Sequence, residues 1–205
     1  MAKRTSRKSQ AKRAQPPDAV QMLKTDHKQV RKWFEQFYAG SDDDKGSIAR
    51  RLFIELDIHS KLEEELFYPA VQSKLESLGK MGDDFAAAEN GEDINDEQVE
   101  ANVDEINGTE LEVVGDKETA SEVISAAYES HRTVDDLIQQ LRSLDPNSED
   151  YGQLFTELEE AIIEHVAEEE DVIFPLAAAH LDVQALGMKM QQRKDDLSSQ
   201  SPLAA

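Results

Sequence analysis

Residues 59–69 read His59-Ser60-Lys61-Leu62-Glu63-Glu64-Glu65-Leu66-Phe67-Tyr68-Pro69, and residues 165–175 read His165-Val166-Ala167-Glu168-Glu169-Glu170-Asp171-Val172-Ile173-Phe174-Pro175. Each stretch has a histidine, a glutamate four residues on, a second glutamate, a third acid, and an aromatic–proline pair at the same offset. Each also follows a segment with one further histidine: His27 lies 32 residues before His59, and His131 lies 34 before His165. The chain therefore reads as a duplicated helix pair.

Working outward, four segments carry apolar residues at helical spacing. They are Val20, Leu23, Val30, Phe34 and Phe37; Ile48, Leu52, Leu56, Leu62 and Leu66; Ile124, Ala127, Val134, Ile138 and Leu141; and Leu154, Leu158, Ile162, Ile173 and Leu176. Three-and-four spacing of this kind marks a core-facing helical stripe. His27, His59, His131 and His165 fall inside the stripes, one per segment, and Glu63 and Glu169 fall inside the second and fourth. Gly40-Ser41-Asp42-Asp43-Asp44 and Asp145-Pro146-Asn147-Ser148 are turn signals of the length that joins antiparallel neighbours. The fold class that follows is all-α, an antiparallel up-down four-helix bundle.

The flanking segments differ in kind. Residues 1–17 are rich in Lys, Arg, Ser and Gln and end in Pro16-Pro17, which reads as a disordered basic tail, with Asp18 as the N-cap of the first helix. The main domain is expected over 18–197, with a short C-terminal helix at about 182–197 and a polar tail over 198–205. Between the second and third helices, residues 79–118 are acidic and poor in large apolar residues. They read as a largely disordered insertion with at most a turn or two of helix around 95–106. Pro69 and Pro175 are expected to stop or kink their helices.

Residues four apart on a helix share a face, with Cβ atoms about 6 Å apart. His59 and Glu63 thus point together into the core, as do His165 and Glu169. A carboxylate buried without a partner costs several kcal/mol. Four imidazoles and two carboxylates on converging apolar stripes call for a compensating cation. The chain has no cysteine, which removes disulfides, thiolate zinc sites, iron–sulfur clusters and thiol nucleophiles. Imidazole plus carboxylate suits Fe, Mn or Zn. Six side chains exceed one tetrahedral zinc and suit two adjacent metals bridged by the glutamates, so His27, His59, Glu63, His131, His165 and Glu169 are the expected ligands. Glu64, Glu65, Glu170 and Asp171 are read as a solvated face that supports those ligands from outside. Tyr68 and Phe174 are read as core residues, His180 as structural, and Trp33 and Tyr38 as packing at helix ends.

Composition sets the outer bounds. The 205 residues suit one domain with tails; 39% are hydrophobic and 32% charged. No apolar run approaches the roughly 18 residues of a membrane span, and no secretory signal is visible, so a soluble cytoplasmic protein is expected. The net charge is −22, while residues 1–13 carry six Lys/Arg and no acid. The acidic body repels nucleic acid and anionic lipid, leaving the first thirteen residues at most a weak contact with either. Such acidity also fits a salt-rich cytoplasm.

The pattern His, His-x-x-x-Glu, His, His-x-x-x-Glu, met by His27, His59/Glu63, His131 and His165/Glu169, resembles the hemerythrin-like (HHE cation-binding) family of bacterial type. The flanking "EEELFYP" and "EEEDVIFP" and the terminal "ALGMKMQQRKDDL" are similar to that group too. The resemblance spans about 18–78 and 119–197. It implies a non-haem di-iron site with carboxylate and oxo or hydroxo bridges. It also implies binding, sensing or scavenging of O2, peroxide or nitric oxide. Catalase-like peroxide decomposition, an iron buffer and an interaction module presenting the acidic insertion are the alternatives. One departure stands out. Oxygen carriers of the family have a His-x-x-x-His pair on the third helix, whereas the residues four either side of His131 are Ala127 and Asp135. Asp135 is read as an exposed helical residue rather than a replacement ligand.

Overall fold

The computed structural model describes the backbone of residues 18–88 and 103–201, and the side chains of residues 18–78 and 121–201. Every regular element among the described residues is helical. The elements are α1 (Ala19–Ala39), α2 (Asp42–Leu62), α3 (Tyr68–Ala88), α4 (Val103–Arg142), α5 (Glu149–Glu168), α6 (Phe174–His180) and α7 (Val183–Gln200). One π-helical turn, Glu63–Phe67, joins α2 to α3, and another, Glu169–Ile173, joins α5 to α6. The backbone thus makes five helical rods: α1, α2–α3, α4, α5–α6 and α7.

The helix starts follow from local chemistry. Asp18 Oδ1 accepts the backbone N–H of Gln21 at 2.8 Å, which makes it the N-cap of α1 as expected. Ser148 Oγ does the same for Tyr151 at the head of α5, at 3.2 Å. Only Gly40 and Ser41 separate α1 from α2. A Cβ on Gly40 would stand 2.9 Å from the Gln36 carbonyl oxygen, so the close reversal there needs glycine.

Pro69 and Pro175, expected to stop or kink their helices, do not end them. A proline ring collides with the carbonyl four residues back in a regular α-helix and leaves that carbonyl without its N–H. Here the preceding turn is widened: the Tyr68 N–H bonds the Glu63 carbonyl, and the Phe174 N–H bonds the Glu169 carbonyl, each five residues back. The helix absorbs the proline and continues. Of the segment 79–118, read as a largely disordered insertion, residues 79–88 continue α3 and residues 103–118 open α4. Ala86-Ala87-Ala88 are good helix formers attached to a helix already nucleated, and elongation costs far less than nucleation. The turn or two expected around 95–106 lies partly in residues 89–102, outside the described residues, as do the tails at 1–17 and 202–205.

α1 packs on α2, α4 on α5, and α7 along α1 and α2. The buried side chains fall into two layers. One gathers Leu23, Leu62, Phe67, Tyr68, Ile124, Phe174 and Met190 among others; the second gathers Val30, Phe34, Leu52, Phe155, Leu158 and Ile162. His27 lies between Leu23 of the first layer and Val30 of the second, and the polar centre divides the core at that level.

Candidate metal centre

Each half of the repeat supplies three of the six predicted side chains. His27 comes from α1, and His59 from the last turn of α2, with Glu63 opening the wide turn that follows. His131 comes from α4 and His165 from the last turn of α5, with Glu169 opening the second wide turn. All six are buried, Glu63 and Glu169 at 0% exposure.

They meet in pairs. Nε2 of His27 faces Nε2 of His59 at 3.2 Å, and Nε2 of His131 faces Nε2 of His165 at 3.1 Å. Glu63 reaches both pairs, with Oε1 3.1 Å from His59 Nε2 and Oε2 3.3 Å from His131 Nε2. Glu169 Oε2 lies 3.3 Å from His27 Nε2 and 3.6 Å from His165 Nε2. Two donor clusters result: His27, His59, Glu63 and Glu169, and Glu63, His131 and His165. Within each, the donor atoms lie within 4.8 Å of one another. Glu63 belongs to both.

The histidines are held from outside by carboxylates. His27 Nδ1 meets Glu170 Oε1 at 2.9 Å, and His131 Nδ1 meets Glu64 Oε1 at 2.8 Å. A carboxylate at Nδ1 keeps the proton on that nitrogen and turns the Nε2 lone pair toward the centre. The pattern is crossed: Glu64 of the first half holds a histidine of the second, and Glu170 the reverse. Glu64 and Glu170 thus support the ligands from outside, as read from the sequence, while Glu65 and Asp171 are exposed. Phe174 stacks on the His27 ring and Tyr68 on the His131 ring.

Three partners were not foreseen as functional. The Tyr68 O–H donates to Glu169 Oε1 at 2.5 Å, while Phe174, its counterpart in the repeat, has no hydroxyl. Asp26 Oδ2 lies 3.8 Å from His59 Nδ1, and Lys194 Nζ of α7 donates to Asp26 Oδ1 at 2.5 Å. The tyrosine–phenylalanine mismatch in an otherwise close repeat was a signal available in the chain. Nothing in the spacing pointed to Asp26 or Lys194. Asp135 is exposed and outside both clusters, in line with its reading.

The charge balance of the metal-free centre is uneven. Burial works against a charged His59 ring, but Glu63 and Asp26 outweigh it and hold the ring up at about 10. Burial dominates at His165 and, with the neighbouring imidazoles, pushes it down to about 3. Burial likewise opposes ionisation of Glu63, yet His59 and His131 hold it well below the usual carboxylate range. Glu169 is pushed up by burial and by the Glu63 charge, and Tyr68 far up by burial and both glutamates.

These residues fit a metal. Both oxygens of Glu63 and Oε2 of Glu169 are buried with no hydrogen-bond partner, and two pairs of imidazole Nε2 atoms face one another at contact distance. Buried polar atoms are seldom left this way. A cation between them satisfies carboxylate oxygens and imidazole lone pairs at once. Beside the clusters lies a small cavity of about 20 Å³, room for about one small molecule. It is lined by all four histidines with Val30, Leu56, Ser60, Val134, Ile162 and Val166. No helix among the described residues is long and apolar enough to cross a membrane.

Comparison with known proteins agrees with the fold. The hemerythrin HHE cation-binding domain profile matches residues 18–90 and 104–177. The crystal structure of a hemerythrin HHE cation-binding domain-containing protein from Mycobacterium kansasii superposes with a TM-score of 0.62. It shares 18% identity, over 90% of this chain and 89% of that one, a likeness of fold. No curated protein matches.

Proposed function

The chain belongs to the hemerythrin HHE cation-binding domain family, and on that footing we propose that it is a non-haem di-iron protein that binds, senses or scavenges O2, peroxide or nitric oxide. The observation that carries the reading is the pair of donor clusters sharing Glu63, with the four histidines bordering a small apolar cavity. His27, His59, His131, His165, Glu63 and Glu169 would hold the two ions, with Glu63 common to both clusters. Iron held there would supply redox chemistry toward a small ligand. Val30, Leu56, Val134, Ile162 and Val166 exclude bulk water and favour an uncharged ligand of a few atoms. In this reading α1, α2–α3, α4 and α5–α6 run as an antiparallel up-down bundle, with reversals at Gly40-Ser41 and at 143–148.

The test is anaerobic loading of the purified chain with Fe(II), followed by separate titrations with O2, nitric oxide and hydrogen peroxide under optical absorption. The expected result is about two irons per chain and a ligand-dependent absorption band. Reversal on degassing identifies carriage or sensing. Sustained O2 release from peroxide identifies a peroxide-decomposing enzyme instead. Failure to retain iron, or no response to any of the three, would sink the reading.

A further inference from the structure

Aligning the two halves at their histidines pairs His27 with His131, His59 with His165 and Glu63 with Glu169. The residue before the leading histidine breaks the match: Asp26 in the first half, Ser130 in the second. The consequence is visible at the second histidine of each pair. Asp26 Oδ2 faces His59 Nδ1 at 3.8 Å, an ion-pair rather than a hydrogen-bond distance. His59 Nδ1 and His165 Nδ1 are both buried without a hydrogen-bond partner, but among the described residues no carboxylate stands within ion-pair reach of His165 Nδ1.

The C-terminal helix deepens the difference. α7 packs along α1 and α2, and its Lys194 is tied to Asp26. Its Arg193 makes a two-pronged contact with Glu65, at 2.7 and 2.9 Å, on the turn after Glu63. α7 therefore braces the pair of helices that carries His27 and His59. The donors gathered within 4.8 Å of one another also differ, four side chains around His27 and His59 and three around His131 and His165, with Glu169 Oε2 nearer His27 Nε2 at 3.3 Å than His165 Nε2 at 3.6 Å.

We propose that the two metal subsites are unequal and fill in order. The subsite of His27, His59, Glu63 and Glu169 fills first, and that of His131, His165 and Glu63 second. Asp26, held by Lys194, is the positioning residue that tightens the first. The inference rests on the reading above that the centre takes two ions. A carboxylate behind an imidazole fixes the ring, sets its tautomer and raises its basicity, and losing such a partner costs about 10–100-fold in affinity. Lys194 Nζ, 2.5 Å from Asp26 Oδ1, holds the carboxylate in place beside the ring. A subsite with four donors already gathered also pays less ordering cost on binding than one with three.

The experiment is a titration of the metal-free full-length chain with Co(II), followed by visible absorption and by calorimetry. The wild type should take two ions in two resolved steps. Asp26→Asn should weaken the first step about 10–100-fold and leave the second in place, and Lys194→Met should act in the same direction but less. Ser130→Asp should strengthen the second step and bring the two together. His27→Ala should remove the first step, and His131→Ala only the second. Circular dichroism of each metal-free variant confirms that it is folded. A single step taking up both ions together, or an Asp26→Asn variant that weakens both steps equally, overturns the proposal. Uptake of one ion, lost in His27→Ala but kept in His131→Ala, supports the inequality and sinks the two-metal reading. No uptake by the wild type overturns both.

Discussion

Glu63 and Glu169 occupy matching places in the repeat and have opposite electrostatic characters. Glu63 sits between His59 and His131, and its charge outlasts burial. Glu169 is pushed toward its protonated form by burial and by Glu63, and it accepts the Tyr68 hydroxyl proton at Oε1. Replacing Glu169 by Gln should leave the metal-free protein as stable as before or more so, because it removes a burdened buried carboxylate. Glu63→Gln strips His59 and His131 of their counter-charge and should destabilise it by about 1–3 kcal/mol. Both variants should hold fewer than two metals per chain, read by metal analysis and by melting with and without metal. Two ions retained as tightly as in the parent by Glu63→Gln would show that Glu63 is not shared between them. The histidines set the pH dependence. His59 has a folded value, about 10, above its unfolded value near 6.5. Its contribution is therefore complete below pH 6.5 and is lost as pH rises toward 10. His165 has a depressed value, about 3, so the unfolded chain binds the extra proton and stability falls as pH drops from 6.5 toward 3. Metal-free His165→Gln should lose less stability over that acid range than the parent in denaturant titrations; an unchanged slope would contradict the assignment.

At the scale of the element, the wide turns are what two similar stretches of chain share beyond their histidines. Each opens at the glutamate of the centre and ends two residues before a proline, and the next glutamate, Glu64 or Glu170, meets the histidine of the opposite half, His131 or His27. The helix ends are simpler. Asp18 caps α1 through one hydrogen bond to Gln21, and Asp18→Ala should cost about 1 kcal/mol. On a chain of this size that is a drop of about 2–4 °C in melting temperature. Because His27 lies more than two turns from the cap, metal content should be unchanged. Loss of metal in Asp18→Ala would mean that α1 is held in place by its cap rather than by its buried face.

For the whole molecule, the dominant electrostatic fact is the net charge of −22. Like charges spread over the surface oppose the compact state and are screened by salt. The melting temperature should therefore rise by a few degrees, about 1 kcal/mol, between 0.05 and 0.5 M KCl; a fall would show that favourable surface pairs outweigh the self-repulsion. The surface pairs on the page, such as Lys61 with Asp57 and Lys45 with Asp42, are exposed at one or both ends and contribute little to oppose that trend. The core is interrupted at one level by the polar centre, and the two apolar layers above and below it shield that centre from water.

Helical periodicity is a local property, and it was legible without coordinates: the four stripes, one histidine in each, a glutamate four residues after two of them, and the duplication that relates the halves. Those features determine which six side chains share the core. The crossing of Glu64 to His131 and of Glu170 to His27, the Tyr68 bond to Glu169 and the Lys194 bond to Asp26 join residues 67, 143, 101 and 168 positions apart. No spacing rule reaches that far. Such pairings follow from how whole helices lie against one another, which depends on the summed packing of both apolar layers. The continuation through Pro69 and Pro175 belongs with them. A proline reads locally as a stop, and only a widened turn, with buried residues on both sides of it, lets the helix carry on.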